Sequence, residues 1–463
     1  MRIAIVIVLA LLLGTCSQKP NQLEQVLESG ELRVVTRNSP TTFYLGAEGP
    51  AGFEHDLAQL FAERLGVGLV MYAPEGFPGV LNEVRHGRAH FAAAGLSITE
   101  SRKKDLRFGP PYQEVTQQLV YRYGVRRPRE LDEIKESNLT VMSGTSHEDL
   151  LRELSSDYPN LAWESTDTAE SEELLQWVSN RVIDYTIADS TEIALARRFY
   201  PEIRVAFDMR EPEPIAWAFR RGDDDSLYME AVKFINETRQ SGLLSQIADR
   251  YYGYTDKFDY VGTRIYMRHI DSRLPAYREM FDKAGEFGGI DWRLLAAMGY
   301  QESHWNPRAV SPTGVRGIMM LTKVTAQQLG VENRSDPESS ILGGAQYLQH
   351  IKNRIPERIP EPDRTWMALA AYNIGRGHLE DARVLTVSNG GDPDRWMDVR
   401  ENLPLLSQKK WYSRTKHGYA RGREPVKYVE NIRSYYDILV WIINSRENTE
   451  PLNSTVQTTM RST

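Results

Sequence analysis

The chain has one cysteine, Cys16, in 463 residues, so no disulfide can form within it even in an oxidising compartment. Positive charge is not in excess either. Lys and Arg number 56 against 63 Asp and Glu, a net charge of -7, which leaves no electrostatic footprint for nucleic acid. The nine histidines fall in no HExxH or paired Cys/His spacing, so neither a metal nor another cofactor is expected. Phosphate-cradling glycine loops and serine-nucleophile elbows are missing as well. Long apolar runs are confined to Ile3 through Leu13, behind Arg2, a stretch too short for a comfortable membrane span but suited to a signal-peptide core. Export of everything after about residue 20 follows.

What the chain does have is an apolar helix that ends on a carboxylate. In Asp291-Trp292-Arg293-Leu294-Leu295-Ala296-Ala297-Met298-Gly299-Tyr300-Gln301-Glu302-Ser303, Asp291 is an expected N-cap and the helix runs about three turns. Stepping back from Glu302 reaches Gly299, Met298 and Leu295, which puts the acid on the buried stripe. Asn306-Pro307 is expected to stop the helix. A carboxyl there loses hydration, so its pKa should rise until it holds a proton near neutral pH, as a general acid must. The other acids before Tyr372 (Glu332, Asp336, Glu338, Glu357, Glu361 and Asp363) lie in polar or Pro-broken stretches that suit solvent. The second carboxylate of an ordinary glycosidase is thus not in evidence.

Three separated motifs then occur in order. Glu302-Ser303 is followed by Asn306-Pro307-Arg308-Ala309-Val310-Ser311-Pro312-Thr313-Gly314-Val315-Arg316-Gly317-Ile318-Met319-Met320-Leu321-Thr322, and later by Ala370-Ala371-Tyr372-Asn373-Ile374-Gly375. Over residues 270–445 this resembles the lysozyme-like lytic transglycosylases that cut peptidoglycan. The resemblance implies a mainly α domain in which Glu302 is catalytic and Ser303, Tyr372 and Asn373 line the sugar site. Met320 stands where that family commonly has Gln, and Tyr428 matches a late tyrosine close to the acid. It also implies a one-acid reaction that leaves a 1,6-anhydromuramic end, with peptidoglycan glycan strands as the partner. A water-using muramidase is the alternative within enzymes, and a non-catalytic binder of amino acids or peptides is the alternative outside them. The basic run Lys409, Lys410, Arg414, Lys416, His417, Arg421, Arg423 and Lys427 reads as local help with acidic stem peptides or as a solvated surface.

From Gly30 to Tyr254 short β runs alternate with amphipathic helices, the mark of an α/β architecture. Leu32–Thr36, Gly68–Tyr72 and His90–Ala94 read as strands, and Phe53–Leu65 and Phe77–His86 as helices. The run Gly95-Leu96-Ser97-Ile98-Thr99-Glu100-Ser101-Arg102, with the close Ser241-Gly242-Leu243-Leu244 through Tyr252-Gly253, resembles the two-lobed periplasmic solute-binding proteins for amino acids. That resemblance assigns Arg102 to a ligand carboxylate, Ser97 to a hydroxyl contact and Asp189 to the ligand's amino group. Ser143-Gly144-Thr145-Ser146 precedes a helix whose free N–H groups suit an anion, which brings Thr145 into the set. Ala94 and Gly95 stand where many relatives carry more polar residues. The bland alternative is that Arg102 and Asp189 are ordinary ion-pair residues on a fold kept as a spacer.

The expected organisation is therefore a signal segment at 1–20, a two-lobed α/β periplasmic-binding-protein fold at 21–255 that senses amino acids or wall peptides, a short ordered connector at 256–269, the transglycosylase domain at 270–445, and a polar tail at 446–463. Leu13-Gly14-Thr15-Cys16 resembles a bacterial lipoprotein processing site. The protein is thus expected at the periplasmic face of the outer membrane, lipid-anchored through Cys16 or peripheral.

Overall fold

The computed structural model of the protein describes residues 20–46, 49–134, 138–253, 260–311 and 314–449. Two compact units divide the chain, one made of residues up to Ile193 together with Ile203–Tyr251, the other of Ala194–Glu202 together with the residues from Tyr252 onward.

The first unit contains two lobes. In the first lobe five strands lie in the order Gly68–Tyr72, Glu31–Val35, Phe91–Ala92, Ala218–Arg220, Leu106–Phe108. The first three run parallel and Ala218–Arg220 is antiparallel to both neighbours. Leu32, Val34 and Val35 are all fully buried, as central parallel strands covered on both faces must be. Phe53–Leu65 and Gly76–Arg85 supply helical cover. The second lobe has an antiparallel sheet, Thr186–Asp189, Gln117–Arg122 and Ile203–Asp208, and a parallel pair, Thr140–Met142 with Glu164–Thr166. The chain leaves the first lobe through Gln113–Val115 and returns through Glu213–Ile215, and these two segments pair antiparallel.

The second unit is helical. Its acid-bearing helix, Trp292–Ser303, begins where the cap predicts: the Asp291 side chain accepts from the Arg293 N–H at 2.8 Å and from the Tyr436 hydroxyl at 2.8 Å. Every residue from Leu294 through Tyr300 is buried, so this helix is apolar all round and lies inside the domain. It packs against Arg278–Gly288, Pro337–Lys352 and Arg423–Thr449. A Cβ on Gly299 would come within 3.1 Å of both Ile318 and Phe281, so glycine permits the close approach there.

The helix ends earlier than Asn306-Pro307 would impose. His304 and Trp305 both take positive φ, 52° and 56°, and the turned chain sends the Trp305 ring back into the core, where its indole N–H donates to the Ala296 carbonyl at 2.8 Å. Burial of one large aromatic offsets two left-handed residues.

Most of the stretch read as connector, 256–269, is helical. A helix covers Tyr260–Ser272; Tyr266 on it is fully buried, with its hydroxyl on the Tyr435 carbonyl at 2.9 Å, and Ile270 and Leu274 continue the stripe into the core. The i, i+4 spacing of Tyr266 and Ile270 was the signal for this helix, and Leu274 follows in the short turn Leu274–Ala276 beyond it. At the other end the helix Arg423–Thr449 runs past the expected boundary at 445. The signal segment with Cys16, most of the remaining tail, and Pro312-Thr313 lie outside the described residues.

Candidate active site

Glu302 sits in the last turn of its helix. Burial pushes its carboxyl up to about 7, and a hydrogen bond from the Tyr428 hydroxyl to Oε1, at 2.6 Å, pulls the other way without prevailing. Tyr428 comes from Arg423–Thr449, and burial, with Glu302 and Tyr372 nearby, raises its own pKa well above the ordinary range. The phenol therefore stays a donor. One residue back, Gln301 Oε1 accepts from Asn431 Nδ2 at 3.0 Å, so the same two helices are tied twice beside the acid.

The motif residues around it divide into wall and ties. The Ser303 hydroxyl donates to backbone carbonyls, Ile318 at 2.9 Å and Gly299 at 3.1 Å, and accepts from the Asn306 N–H at 3.2 Å. In these contacts the hydroxyl ties the 318 loop to the acid helix. Tyr372, on the helix Asp363–Ile374, donates to the Met319 carbonyl at 2.9 Å and meets Tyr347 edge-on at 5.1 Å. Its own pKa is pushed well above the ordinary range by burial and then by Glu302, which places it electrostatically beside the acid. Asn373 is exposed and Met320 half-buried. Met320 has a φ of 46°, so the loop offers this side chain from a left-handed turn. Gly317, φ 85°, has no alternative residue: a Cβ would lie 1.8 Å from the Arg334 carbonyl oxygen. Of the acids read as solvent-facing, Asp363 differs, being only 8% exposed at the start of its helix. The basic run from Lys409 to Lys427 is exposed at each of its charged residues.

Residues 279–391 match the family described as Transglycosylase SLT domain, and residues 32–254 match Bacterial extracellular solute-binding proteins, family 3. Membrane-bound lytic murein transglycosylase F 1 of Alkalilimnicola ehrlichii is 53% identical over 418 residues, which is 90% of this chain and 85% of that protein. This chain belongs to that family. Membrane-bound lytic murein transglycosylase F of Saccharophagus degradans is 48% identical over 93% of this chain and 86% of its own. An ancestral arginine-binding protein bound to arginine covers 48% of this chain and 98% of its own at 25% identity, with a TM-score of 0.45. The enzyme therefore joins a family 3 solute-binding domain, whose lobes are described above, to a mainly α transglycosylase domain. The transglycosylase match contains Glu302, Ser303, Met320, Tyr372 and Asn373 and stops short of Tyr428.

In the solute-binding domain the residues read from sequence fall into two groups. Arg102 and Ser97 are buried, at 4% and 1% exposure. Arg102 Nη1 donates to the Ser97 carbonyl at 3.2 Å and its guanidinium lies 5.1 Å from the Phe77 ring, while Arg102 Nη2 and Ser97 Oγ have no hydrogen-bond partner among the described residues. Burial lowers the Arg102 pKa to about 10, still a cation. Thr145 and Asp189 are already engaged. The Thr145 hydroxyl donates to the Met142 carbonyl at 2.8 Å and caps the helix Ser146–Leu154, and the Glu148 carboxylate takes the Gly144 N–H at 2.7 Å. At that helix start the Gly144 and Glu148 N–H groups are thus taken by the chain's own side chains. Asp189 is paired with His147 Nε2 at 3.0 Å.

Sequence reasoning missed Arg37 and Glu192. Arg37, just after the first strand, pairs with Glu192 of the second lobe, both buried, and its Nε donates to the Ala94 carbonyl at 3.2 Å. Glu192 also accepts from the Ser171 hydroxyl at 2.7 Å; burial pushes it up, but Arg37 and then His147 hold it below the ordinary carboxylate range. Arg37 interrupts an otherwise apolar strand end, Val34-Val35-Thr36-Arg37, which is the one signal that pointed to it.

Proposed function

We propose that the enzyme cleaves the β-1,4 bond between N-acetylmuramic acid and N-acetylglucosamine in peptidoglycan, with Glu302 as the single acid and base. The observation that carries this is the Glu302 carboxyl itself, raised to about 7 by burial and held by one phenol, because such a group can both give and take a proton near neutral pH. In the first step Glu302 protonates the glycosidic oxygen, and the muramic N-acetyl group assists departure of the leaving sugar. In the second the C6 hydroxyl of the same muramic residue closes onto C1 and returns its proton to Glu302. The product carries a 1,6-anhydro end and no water is consumed. Tyr428 orients the carboxyl, while Met320, Tyr372 and Asn373 supply the sugar-facing wall.

Glu302→Gln keeps the shape and removes the proton chemistry. Release of muropeptides from sacculi is expected to fall by roughly 10²- to 10⁴-fold with folding intact. Mass spectrometry of a wild-type digest reads the chemistry directly: anhydro ends support the transglycosylase reading, and reducing ends would make the enzyme a muramidase.

The cleft of the solute-binding domain takes a wall-derived amino acid or peptide by its carboxylate and thereby regulates the enzyme. Two buried donors without partners among the described residues, Arg102 Nη2 and Ser97 Oγ, support this, since a planar guanidinium beside a hydroxyl suits a carboxylate. Calorimetric titration of stem peptides into wild type and Arg102→Ala, paired with cleavage assays, tests it. Absence of binding, or binding that leaves cleavage unchanged, would make the domain a scaffold.

Membrane attachment is assigned to residues 1–20, since no helix among the described residues is long and apolar enough to cross a membrane. Deletion of that segment should release active enzyme. Cys16→Ser should release the full chain if acylation at the outer membrane is the anchor, and retention would point to an uncleaved signal segment.

A further inference from the structure

Three helices converge on the backbone of two adjacent loop residues beside Glu302. Ser303 of the acid helix donates to the Ile318 carbonyl at 2.9 Å, Tyr372 donates to the Met319 carbonyl at 2.9 Å, and the Met319 N–H donates to Ser340 Oγ at 3.2 Å. Ser340 lies on Pro337–Lys352 and is fully buried. A hydroxyl without a partner there would be costly, as would a buried loop amide with no ladder to join. Each satisfies the other. The same helix holds the loop twice more. A Cβ on Gly317 would approach Ser340 Oγ to 2.6 Å, and one on Gly344, a turn beyond Ser340, would approach the Met319 Cβ to 2.6 Å. Met319 is thus seated with its amide on Ser340, its carbonyl on Tyr372 and its side chain over the bare face of Gly344, and Met320 is presented from this seat at a φ of 46°.

We infer that Ser340 is a positioning residue for the glycan-binding loop, acting through the Met319 amide to fix the backbone of Gly317 to Met320 against the acid helix. The inference rests on the reading of Glu302 as the acid of a glycan-cleaving site. Ser340 holds the loop and does not act on Glu302, so its loss weakens binding of sugar in ground and transition states alike, which appears in KM and leaves kcat in place.

The test is steady-state kinetics of the full chain on a soluble tetrasaccharide of alternating N-acetylglucosamine and peptide-bearing N-acetylmuramic acid. Ser340→Ala should raise KM roughly 3- to 10-fold, as for loss of one neutral hydrogen bond, with kcat within about twofold and the pH limb of Glu302 unmoved. Ser340→Cys, of similar size but a weaker acceptor, should fall between. A KM that stays at the wild-type value while stability drops would make Ser340 an ordinary core serine, and a fall in kcat with a shifted pH limb would place its action on the acid; either overturns the inference. Should Ser340→Ala not fold, amide exchange in the wild-type protein decides: Met319 protected as strongly as Met298 supports the seat, and exchange at loop rates overturns it. Glu302→Gln, run in the same assay, tests the underlying reading separately, because retained turnover there removes the acid whatever Ser340 does.

Discussion

Glu302 ties stability to pH in the sense opposite to most carboxylates. In the unfolded chain it titrates near its ordinary 4.5, and burial in the folded enzyme moves it to about 7. Folding therefore takes up a proton between these values. The stability carried by the neutral acid is complete below the unfolded value and is lost as pH rises through about 7. At roughly 1.4 kcal/mol per pH unit, keeping the charged form buried costs about 3 kcal/mol. Glu302→Gln is thus expected to be more stable than wild type by up to about 3 kcal/mol near pH 8 and equal to it near pH 4, read from denaturant unfolding at both values. Equal stability at the higher pH would show the carboxyl to be solvated. In the proposed reaction Glu302 starts protonated, so kcat/KM should fall as pH rises through about 7. Tyr428→Phe deletes the one hydrogen bond that opposes burial, so this limb should move to higher pH while the rate drops. A limb at unchanged or lower pH would contradict the assigned cause.

Among elements, the loop after the acid helix is the most constrained. Gly317 combines a φ of 85° with a backbone oxygen 1.8 Å from where a Cβ would stand, and no rotation of a side chain can relieve that contact. Gly317→Ala should cost at least about 2 kcal/mol, the left-handed strain adding to overpacking, and should raise KM for glycan through displacement of Met320. Denaturant unfolding and kinetics on one preparation check both, and a variant with wild-type stability would mean that the Arg334 carbonyl can move aside. The acid helix itself was legible in the sequence: its N-cap, its length and the buried side of Glu302 all follow from spacings within a few residues. The end of the helix was not. Its stop depends on the Trp305 ring reaching the Ala296 carbonyl, a gain in burial that no propensity at His304 or Trp305 announces.

At the scale of the whole molecule, the first unit has a charge pair between its lobes, Arg37 with Glu192. Arg37→Met should destabilise by about 3–5 kcal/mol because it leaves Glu192 buried and unpaired, whereas the double change to Arg37→Met with Glu192→Met should recover most of that loss. Additive losses in a double-mutant cycle, measured by chemical denaturation of the full chain, would show that the pair is not coupled. The order of the two domains, their fold classes and the helix that carries Glu302 were written in local pattern: period-2 and period-3.6 apolar spacing, an Asp cap, and motif runs whose parts lie close along the chain. Partners across long separations were not. Tyr428 lies 126 residues from Glu302, Glu192 lies 155 from Arg37, and Asp189 lies 42 from the His147 that occupies it. Periodicity tells which face of an element turns inward but carries no address for the side chain it will meet there. Only packing decides that, and with it which of the expected binding groups stay free and which the fold has already used.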